Sequence, residues 1–153
     1  MAVLIDILGT PAAKGSPNTR IHNGRVIVHE GKKTKSWERL VREHVAVQLF
    51  DGRLPDVPLF VDKPVQVALV FRLARPAGHW GKRGLKSSAS TTPQKKPDID
   101  KLARATLDPL IGSIFDDDSR IVELLVRKEY ATPGREGALI VVDEWKPPQG
   151  ANT

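Results

Sequence analysis

The sequence contains no cysteine, no long apolar run and fewer acidic than basic residues. The absence of cysteine excludes a disulfide framework and thiolate metal sites, and it is compatible with the cytosol. No segment approaches the roughly 20 apolar residues that are needed to cross a bilayer. The apolar run within residues 1–15 is too short for a signal peptide and lacks the basic region that precedes one. We therefore expect a soluble, cytoplasmic protein without membrane contact.

The shortage of acidic residues gives the protein a strongly basic balance. Its 18 acidic residues stand against 24 lysines and arginines, so the formal net charge is +6. This balance favours a polyanion as partner, and nucleic acid is the commonest one. The length of 153 residues suits one domain, and the hydrophobic fraction of 40% is ordinary for a globular protein. We expect a single domain over residues 1–153.

Apolar and β-branched runs predict the strands. Strands are expected at Val3–Leu8, Arg25–His29, Val65–Leu73, Arg120–Ala131 and Gly137–Asp143. The run at 65–73 is apolar enough to be central in a sheet. The last two runs are expected to pair antiparallel around Pro133 and Gly134.

Helical spacing of apolar residues predicts two helices. The first is expected to begin after Ser36 as its N-cap and to end before Asp51. The second is expected over Asp98–Ile111, with Gly112 as its stop. Together with the strands, these helices predict an α/β protein of the α+β kind, with a small mixed sheet that carries two helices.

Two segments lack any periodicity. Residues 75–96 are rich in Gly, Ser, Thr and Pro and contain basic residues but no acid, which indicates a mobile basic loop. Residues 146–153 are expected to form a disordered tail. Trp80, within the basic loop, has two interpretations: it stacks on a nucleic-acid base, or it folds back onto the core.

The acids of this basic chain are concentrated in one place. Six aspartates occur between residues 98 and 118, and they are Asp98, Asp100, Asp108, Asp116, Asp117 and Asp118. The simple interpretation is that the first two cap the second helix and complement its dipole, with Asp100 forming a surface ion pair with Arg104. The four-residue spacing of Asp100, Arg104 and Asp108 nevertheless puts them on one helix face.

If the fold brings three of these carboxylates together, a cation is needed. Two like charges about 5 Å apart repel by roughly 3 kcal/mol at an effective dielectric of 20. Hard oxygen ligands select Mg²⁺ or Mn²⁺, which take their remaining ligands from water and phosphate. Basic loops on both sides would supply the contacts to phosphate. The residues therefore predict a metal-dependent phosphodiesterase.

The run KPDIDKLARATLDPLIGSIFDDDSRI, residues 96–121, resembles the signature of the RusA family of Holliday-junction resolvases. That signature reads K-P-D-x-D-N-L-x-K-x-x-x-D-x-L-x-G, followed by a short turn and D-D-S-Q. Gly9, Pro11 and Lys14 resemble a second, shorter family motif, G-x-P-x-x-K. The resemblance implies a small homodimeric endonuclease from a bacterium or a phage-infected cell, with the fold described above.

The resemblance also implies roles for individual residues. The family's metal-binding aspartates correspond to Asp98, Asp100 and Asp118, with Asp117 as the neighbour of the last. The catalytic lysine of the family helix is Arg104 here, which keeps a positive charge but differs in geometry. Two further departures are Lys101, where the family has asparagine, and Arg120, where it has glutamine.

The implied activity is hydrolysis of a DNA phosphodiester in a four-way junction, with Mg²⁺ as cofactor or Mn²⁺ in its place. The basic residues expected to hold the DNA through its backbone are Lys14, Arg20, Lys32, Lys33, Lys82, Arg83, Lys86, Lys95, Lys96, Lys101 and Arg120. A two-fold symmetric junction needs two cuts, which fits a homodimer with two sites.

A rival interpretation is a DNA-binding protein that derives from a resolvase and has lost catalysis. The substitutions at Lys101, Arg104 and Arg120 favour it. A calcium-binding module is disfavoured because the D-D-D-S run lacks the spacing and the glycine of an EF-hand. The four histidines show no metal-ligand spacing.

Overall fold

The computed structural model describes residues 2–15, 18–29, 31–51 and 57–150. The strands are β1 (Val3–Leu8), β2 (Asn18–His22), β3 (Arg25–His29), β4 (Val65–Leu73), β5 (Trp80–Gly81), β6 (Gly84–Leu85), β7 (Ile121–Tyr130) and β8 (Gly137–Glu144), and the helices are α1 (Lys32–Phe50) and α2 (Ile99–Leu107). Short 3₁₀ turns lie at Ala77–His79, Asp108–Leu110 and Asp118–Arg120. None of the helices described is long and apolar enough to cross a membrane.

The main sheet has four strands in the order β1-β8-β4-β7. Strand β4 pairs antiparallel with β8 and parallel with β7, which makes the sheet mixed. The predicted antiparallel pairing of β7 with β8 is therefore wrong, because β4 lies between them. The chain's most apolar strand takes the central position, and the loop 131–136 is long enough to cross over it. The prediction that β4 is central is confirmed.

Both helices pack on the same face of this sheet. The buried apolar side chains of the main sheet belong to one face, as in the row Ile5, Ile140 and Leu69 across β1, β8 and β4. Trp37 from α1 and Leu102 from α2 join the same core cluster. The expected class, a single small α+β domain with a mixed sheet and two helices, is confirmed.

Helix α1 begins five residues before the predicted position. Its N-cap is Gly31, whose extended backbone precedes the helix, and not Ser36. The earlier start is held by tertiary contact, since the hydroxyl of Thr34 is buried and donates a hydrogen bond of 2.7 Å to the Ala13 carbonyl. Lys32 and Lys33 therefore lie on the first turn of a helix rather than in a loop.

Helix α2 is shorter than predicted. It ends at Leu107 and tightens into the 3₁₀ turn that contains Pro109. Asp98 occupies the N-cap position, as expected, but its side chain makes no capping hydrogen bond. The chain then turns at Gly112, whose φ of +86° suits glycine.

The basic segment 75–96 contains local structure that the sequence did not indicate. Strands β5 and β6 form a small hairpin with Lys82 and Arg83 at its tip. At its start, the Arg75 guanidinium lies over the Tyr130 ring, 4.3 Å from the centroid. At its end, the Lys128 ammonium donates to the carbonyl of Lys95 at 2.8 Å. Both ends of the segment are thus attached to β7.

The predicted mobility of residues 75–96 and the predicted disorder of residues 146–153 both stay predictions. The mobility of residues 75–96 is not tested by the hairpin. Residues 146–150 of the expected tail form no helix or strand, and residues 151–153 lie outside the described residues.

A buried hydrogen bond joins the two helices. The indole N–H of Trp37 donates to the hydroxyl oxygen of Thr106 at 2.9 Å, and that hydroxyl donates to the Leu102 carbonyl at 2.9 Å. Trp37 is 1% exposed and Thr106 is 0% exposed, so neither group has water as an alternative partner. This contact fixes the position of α2 on the core.

We expect Thr106→Val to lower the free energy of unfolding by about 1–3 kcal/mol, because the indole N–H of Trp37 would be buried without an acceptor. Thr106→Ser keeps the hydroxyl and removes one methyl group, so the free energy of unfolding should fall by only about 1 kcal/mol. Chemical denaturation measures both. Equal losses in the two variants would contradict the role given to the hydrogen bond.

Candidate active site

A cleft lies between α2 and the first half of β7. Its walls are formed by Ile99, Asp100, Ala103, Arg104, Leu107, Asp108, Asp118, Ile121, Val122, Glu123, Leu124 and Val126. Most of these residues are apolar, and the polar ones are concentrated on α2 and on the turn before β7. Such a mostly apolar cleft with a few convergent polar groups is the usual form of a ligand site.

The three residues at four-residue spacing along α2 and the 3₁₀ turn after it all reach this cleft. Asp100, Arg104 and Asp108 lie on the side of the helix that faces away from its buried residues. The amphipathic pattern explains this position, because the opposite side, with Leu102 and Ala105, is fully buried in the core. The packing of α2 thus orients its charged side toward β7.

Asp118 joins the cleft from a different part of the chain. After Gly112 the chain buries Ile114 and Phe115, and the Phe60 amide donates to the Ile114 carbonyl at 2.9 Å. These contacts direct the 3₁₀ turn with Asp118 back toward α2. Only the tertiary fold brings Asp118 to the same cleft as Asp100.

Two other predicted site residues are not part of the lining. Asp98 forms an ion pair with Lys101 at 3.3 Å. Asp117 caps the 3₁₀ turn, where its carboxylate accepts a hydrogen bond of 2.8 Å from the Ser119 amide. That hydrogen bond holds the pKa of Asp117 below its ordinary value. In the described ranges, no three acidic or histidine side chains are arranged to hold one metal ion.

Arg120 forms ion pairs with two acidic side chains beside the cleft. Its guanidinium donates to Asp116 at 3.0 Å and lies 3.4 Å from the carboxylate of Asp62. The hydrogen bond from Arg120 holds the pKa of Asp116 below its ordinary value, and the same bond raises the pKa of Arg120. Asp62 was missed from the sequence, since it is distant in the chain and belongs to no motif.

Lys14 contacts two acids, one of which, Asp108, belongs to the wall of the cleft. Its ammonium is 2.7 Å from Asp108 Oδ2 and 3.4 Å from Glu38 Oε1. Glu38 is 5% exposed and was also missed from the sequence, because its α1 spacing marks it only as a helical residue. The amide of Lys14 donates to the Lys101 carbonyl at 3.0 Å, which ties this segment to α2.

The remaining basic residues expected to bind DNA are on the surface. Exposed side chains are found at Lys32, Lys33, Lys82, Arg83, Lys86, Lys95 and Lys96. The side chain of Arg20 lies outside the described part of the structure. Lys128 donates to the carbonyl of Pro97 at 2.9 Å, so the end of the basic segment is held next to the start of α2.

The fold and the cleft define a small basic α+β domain whose candidate site combines carboxylates with an arginine. Residues 9–137 match the family described as endodeoxyribonuclease RusA, and the chain belongs to this family. The family is one of junction-resolving endodeoxyribonucleases, so membership implies branched DNA as the substrate. The resemblance seen in residues 96–121 is confirmed.

A similar protein aligns with most of this chain, as the family does. The uncharacterized protein YqaN of Bacillus subtilis (strain 168) is 28% identical over 139 residues, which are 88% of this chain and 92% of that protein. The family match includes the whole segment from Asp98 to Asp118, and also Lys14 and Glu38.

We expect Arg120→Met to raise the pKa of Asp116 toward its ordinary value, because the donor that favours the ionised carboxylate is removed. A lowered folded-state pKa stabilises the protein above the unfolded-state pKa, and this stabilisation is lost as the pH falls through the folded value. The variant should therefore lose less stability on acidification.

Carbon-13 NMR titration of the Asp116 carboxyl group measures the change. Arg127→Met is the control, because Arg127 pairs with Glu129 at 3.3 Å, away from Asp116. An unchanged Asp116 titration in the Arg120 variant would refute the assignment.

Proposed function

We propose that this protein hydrolyses phosphodiester bonds in four-way DNA junctions, with a divalent metal ion, and that it works as a homodimer. The observation that carries the proposal is the shared cleft of Asp100, Arg104 and Asp118 in a chain of the RusA family. The proposed location of this activity is the cytoplasm, where branched DNA is formed and processed.

The chemistry of the cleft acids fits a hard divalent cation. Among the described ion pairs, Asp108 is matched by Lys14 and Asp116 by Arg120, whereas none involves Asp100 or Asp118. Exposed carboxylates without a protein cation are suitable ligands for Mg²⁺ or Mn²⁺.

The proposed ligands are Asp98, Asp100 and Asp118, with Asp117 beside the last. A divalent ion held there would supply an activated water and would neutralise charge on the phosphate. Asp98 would have to leave Lys101 to take part. Asp117 would have to give up its contact with Ser119.

Arg104 has a separate proposed role. It lies on the same side of α2 as Asp100, one helical turn further along, and it makes no ion pair with the described acids. A guanidinium in this position can donate two hydrogen bonds to phosphate oxygens, which stabilises negative charge that develops during hydrolysis.

The exposed basic residues are proposed to hold the arms of the junction. Lys82 and Arg83 project from the tip of the β5–β6 hairpin, and Lys95 and Lys96 immediately precede α2. Together with Lys32, Lys33, Lys86 and, from the sequence, Arg20, they would contact the DNA backbone.

A junction-binding protein without catalysis is the second candidate. The observation that favours it is the ion pair between Asp98 and Lys101, the residue that replaces the family's asparagine. If that pair persists, Asp98 is not available as a ligand. A cleavage assay distinguishes the two candidates, because both predict binding and only the first predicts turnover.

We expect Asp100→Asn and Asp118→Asn each to lower the rate of junction cleavage by roughly 100-fold or more, the scale for losing one group that stabilises the transition state. Junction binding should persist, because the basic surface is unchanged. Asp51→Asn, at the exposed end of α1, is a matched control that should cleave normally.

The assay uses a synthetic four-way junction with Mg²⁺, Mn²⁺ or Ca²⁺ and a linear duplex as control. Full activity of either cleft variant would rule out the proposed site. Binding without cleavage by the wild type under every metal condition would favour the second candidate.

The sheet face without helices supports the proposed dimer. Leu4, Val141, Ala68 and Leu125 form one row that crosses all four strands on this face. Leu4 is 58% exposed and Leu125 is 69% exposed. An apolar row across a whole sheet is typical of a surface that pairs with another protein.

Charges beside this row favour a second copy of the same chain as the partner. On β7, Glu123 and Arg127 lie two residues before and after Leu125, on the same face. A two-fold axis along the apolar row would bring Glu123 of each copy opposite Arg127 of the other. Such an isologous interface would also give the two sites that a symmetric junction requires.

We expect Leu125→Glu to convert the dimer to a monomer in analytical ultracentrifugation, because it buries a charge at the centre of the interface. Val47→Glu places the same charge on an exposed position of α1 and should leave the dimer intact. The double variant with Glu123→Arg and Arg127→Glu should form a more stable dimer than either single variant. A Leu125 variant that dimerises like the wild type would exclude this face.

A further inference from the structure

A buried carboxylate behind the cleft has no role in the proposed mechanism. Glu38 is 5% exposed, and its Oε1 atom accepts no hydrogen bond from the described residues. Burial of a carboxylate is unfavourable unless a cation compensates it. Among the described residues, the cations that pair with it are Lys14, at 3.4 Å from Oε1, and Arg42, at 3.8 Å from Oε2.

Lys14 connects this buried acid to the cleft. Its side chain is 19% exposed, and its ammonium reaches Asp108 Oδ2 at 2.7 Å while it faces Glu38 on the other side. The neighbouring backbone is held on both helices, by the hydroxyl of Thr34 on α1 and by the carbonyl of Lys101 on α2. The contacts therefore run from the interior of the domain to the wall of the cleft.

The charge of Asp108 matters to a phosphate that enters the cleft. Asp108 lies on the same wall as Asp100 and Arg104. An unmatched carboxylate there would repel a phosphate and would offset the attraction of Arg104. The ammonium of a lysine is carried on a flexible four-carbon stem, so a second contact helps to hold it beside one acid.

We infer that Glu38 is a positioning residue that acts through Lys14, and that Lys14 serves to neutralise Asp108 so that the cleft accepts DNA phosphate. This inference rests on the proposed function of the cleft. It differs from the expectation drawn from the sequence, in which Lys14 contacts the DNA backbone itself. The two roles give opposite results when Asp108 is also changed.

The test measures the affinity for a four-way junction at low salt without divalent ions, so that it does not depend on cleavage. Lys14→Met should weaken binding roughly tenfold, the effect of one unmatched charge about 8 Å away at an effective dielectric of about 30. Asp108→Asn in the same chain should restore the affinity to within about threefold of the wild type, because it removes the charge that Lys14 had neutralised.

Glu38→Gln tests the positioning role. It should weaken binding in the wild-type background and should have no further effect when Lys14 is already methionine. Glu43→Gln is the matched control, because Glu43 is an exposed acid on the same helix that pairs with Arg39. Thermal unfolding confirms that each variant is folded, and Lys14→Gln replaces Lys14→Met if the latter does not fold.

Failure of Asp108→Asn to restore the affinity of the Lys14 variant would overturn the inference in favour of direct DNA contact by Lys14. A further loss of junction affinity when Glu38→Gln is added to the Lys14 variant would overturn the positioning role. A loss of affinity from Glu43→Gln equal to that from Glu38→Gln would overturn it as well. These outcomes leave the proposed function standing. Wild-type protein that does not bind the junction would overturn the proposed function and this inference together.

Discussion

The packing of α2 on the sheet is the constraint on which the candidate site depends. One side of this short helix is fully buried, with Leu102 and Ala105 in the core and Thr106 hydrogen-bonded to Trp37 of α1. Because that side faces the core, the charged side of the helix stays outside the core, where it lines the cleft together with residues of β7. A rotation of the helix by one residue, about 100°, would bury charge and expose apolar surface. The core thus fixes the orientation of the site.

The acids around α2 differ in the partners that the fold gives them. Asp98, Asp108 and Asp116 each have a cation within 3.3 Å, supplied by Lys101, Lys14 and Arg120. For Asp100 and Asp118 the described ion pairs include no such cation. This distribution separates acids that pair with cations of the protein itself from the two cleft acids whose proposed partner is a metal ion.

The two faces of the sheet are suited to different partners. The face with the helices builds the core and, at the β7 edge, the cleft. The other face carries the apolar row and the alternating charges on β7, which form the surface proposed to pair with a second copy of the chain. Since β7 contributes to both surfaces, a dimer through this face would hold the two clefts in a fixed relation to each other. For a family that acts on branched DNA, such a relation would match two cuts in one symmetric substrate.

Much of this protein could be read from local sequence. The central strand β4, the N-cap position of Asp98 and the family signature in residues 96–121 follow from patterns within a few residues, because local propensity and spacing act over that range. Contacts between distant parts of the chain could not be predicted from local patterns. They include the position of β4 between β7 and β8 and the early start of α1 through Thr34. They also include the pairing of Lys14 with Asp108 and with buried Glu38. By itself the sequence determined the class of fold, the family and the candidate acids. Only the tertiary structure decided which acids share a cleft and which are already neutralised, since distances between residues far apart in the chain are set by packing of the whole domain.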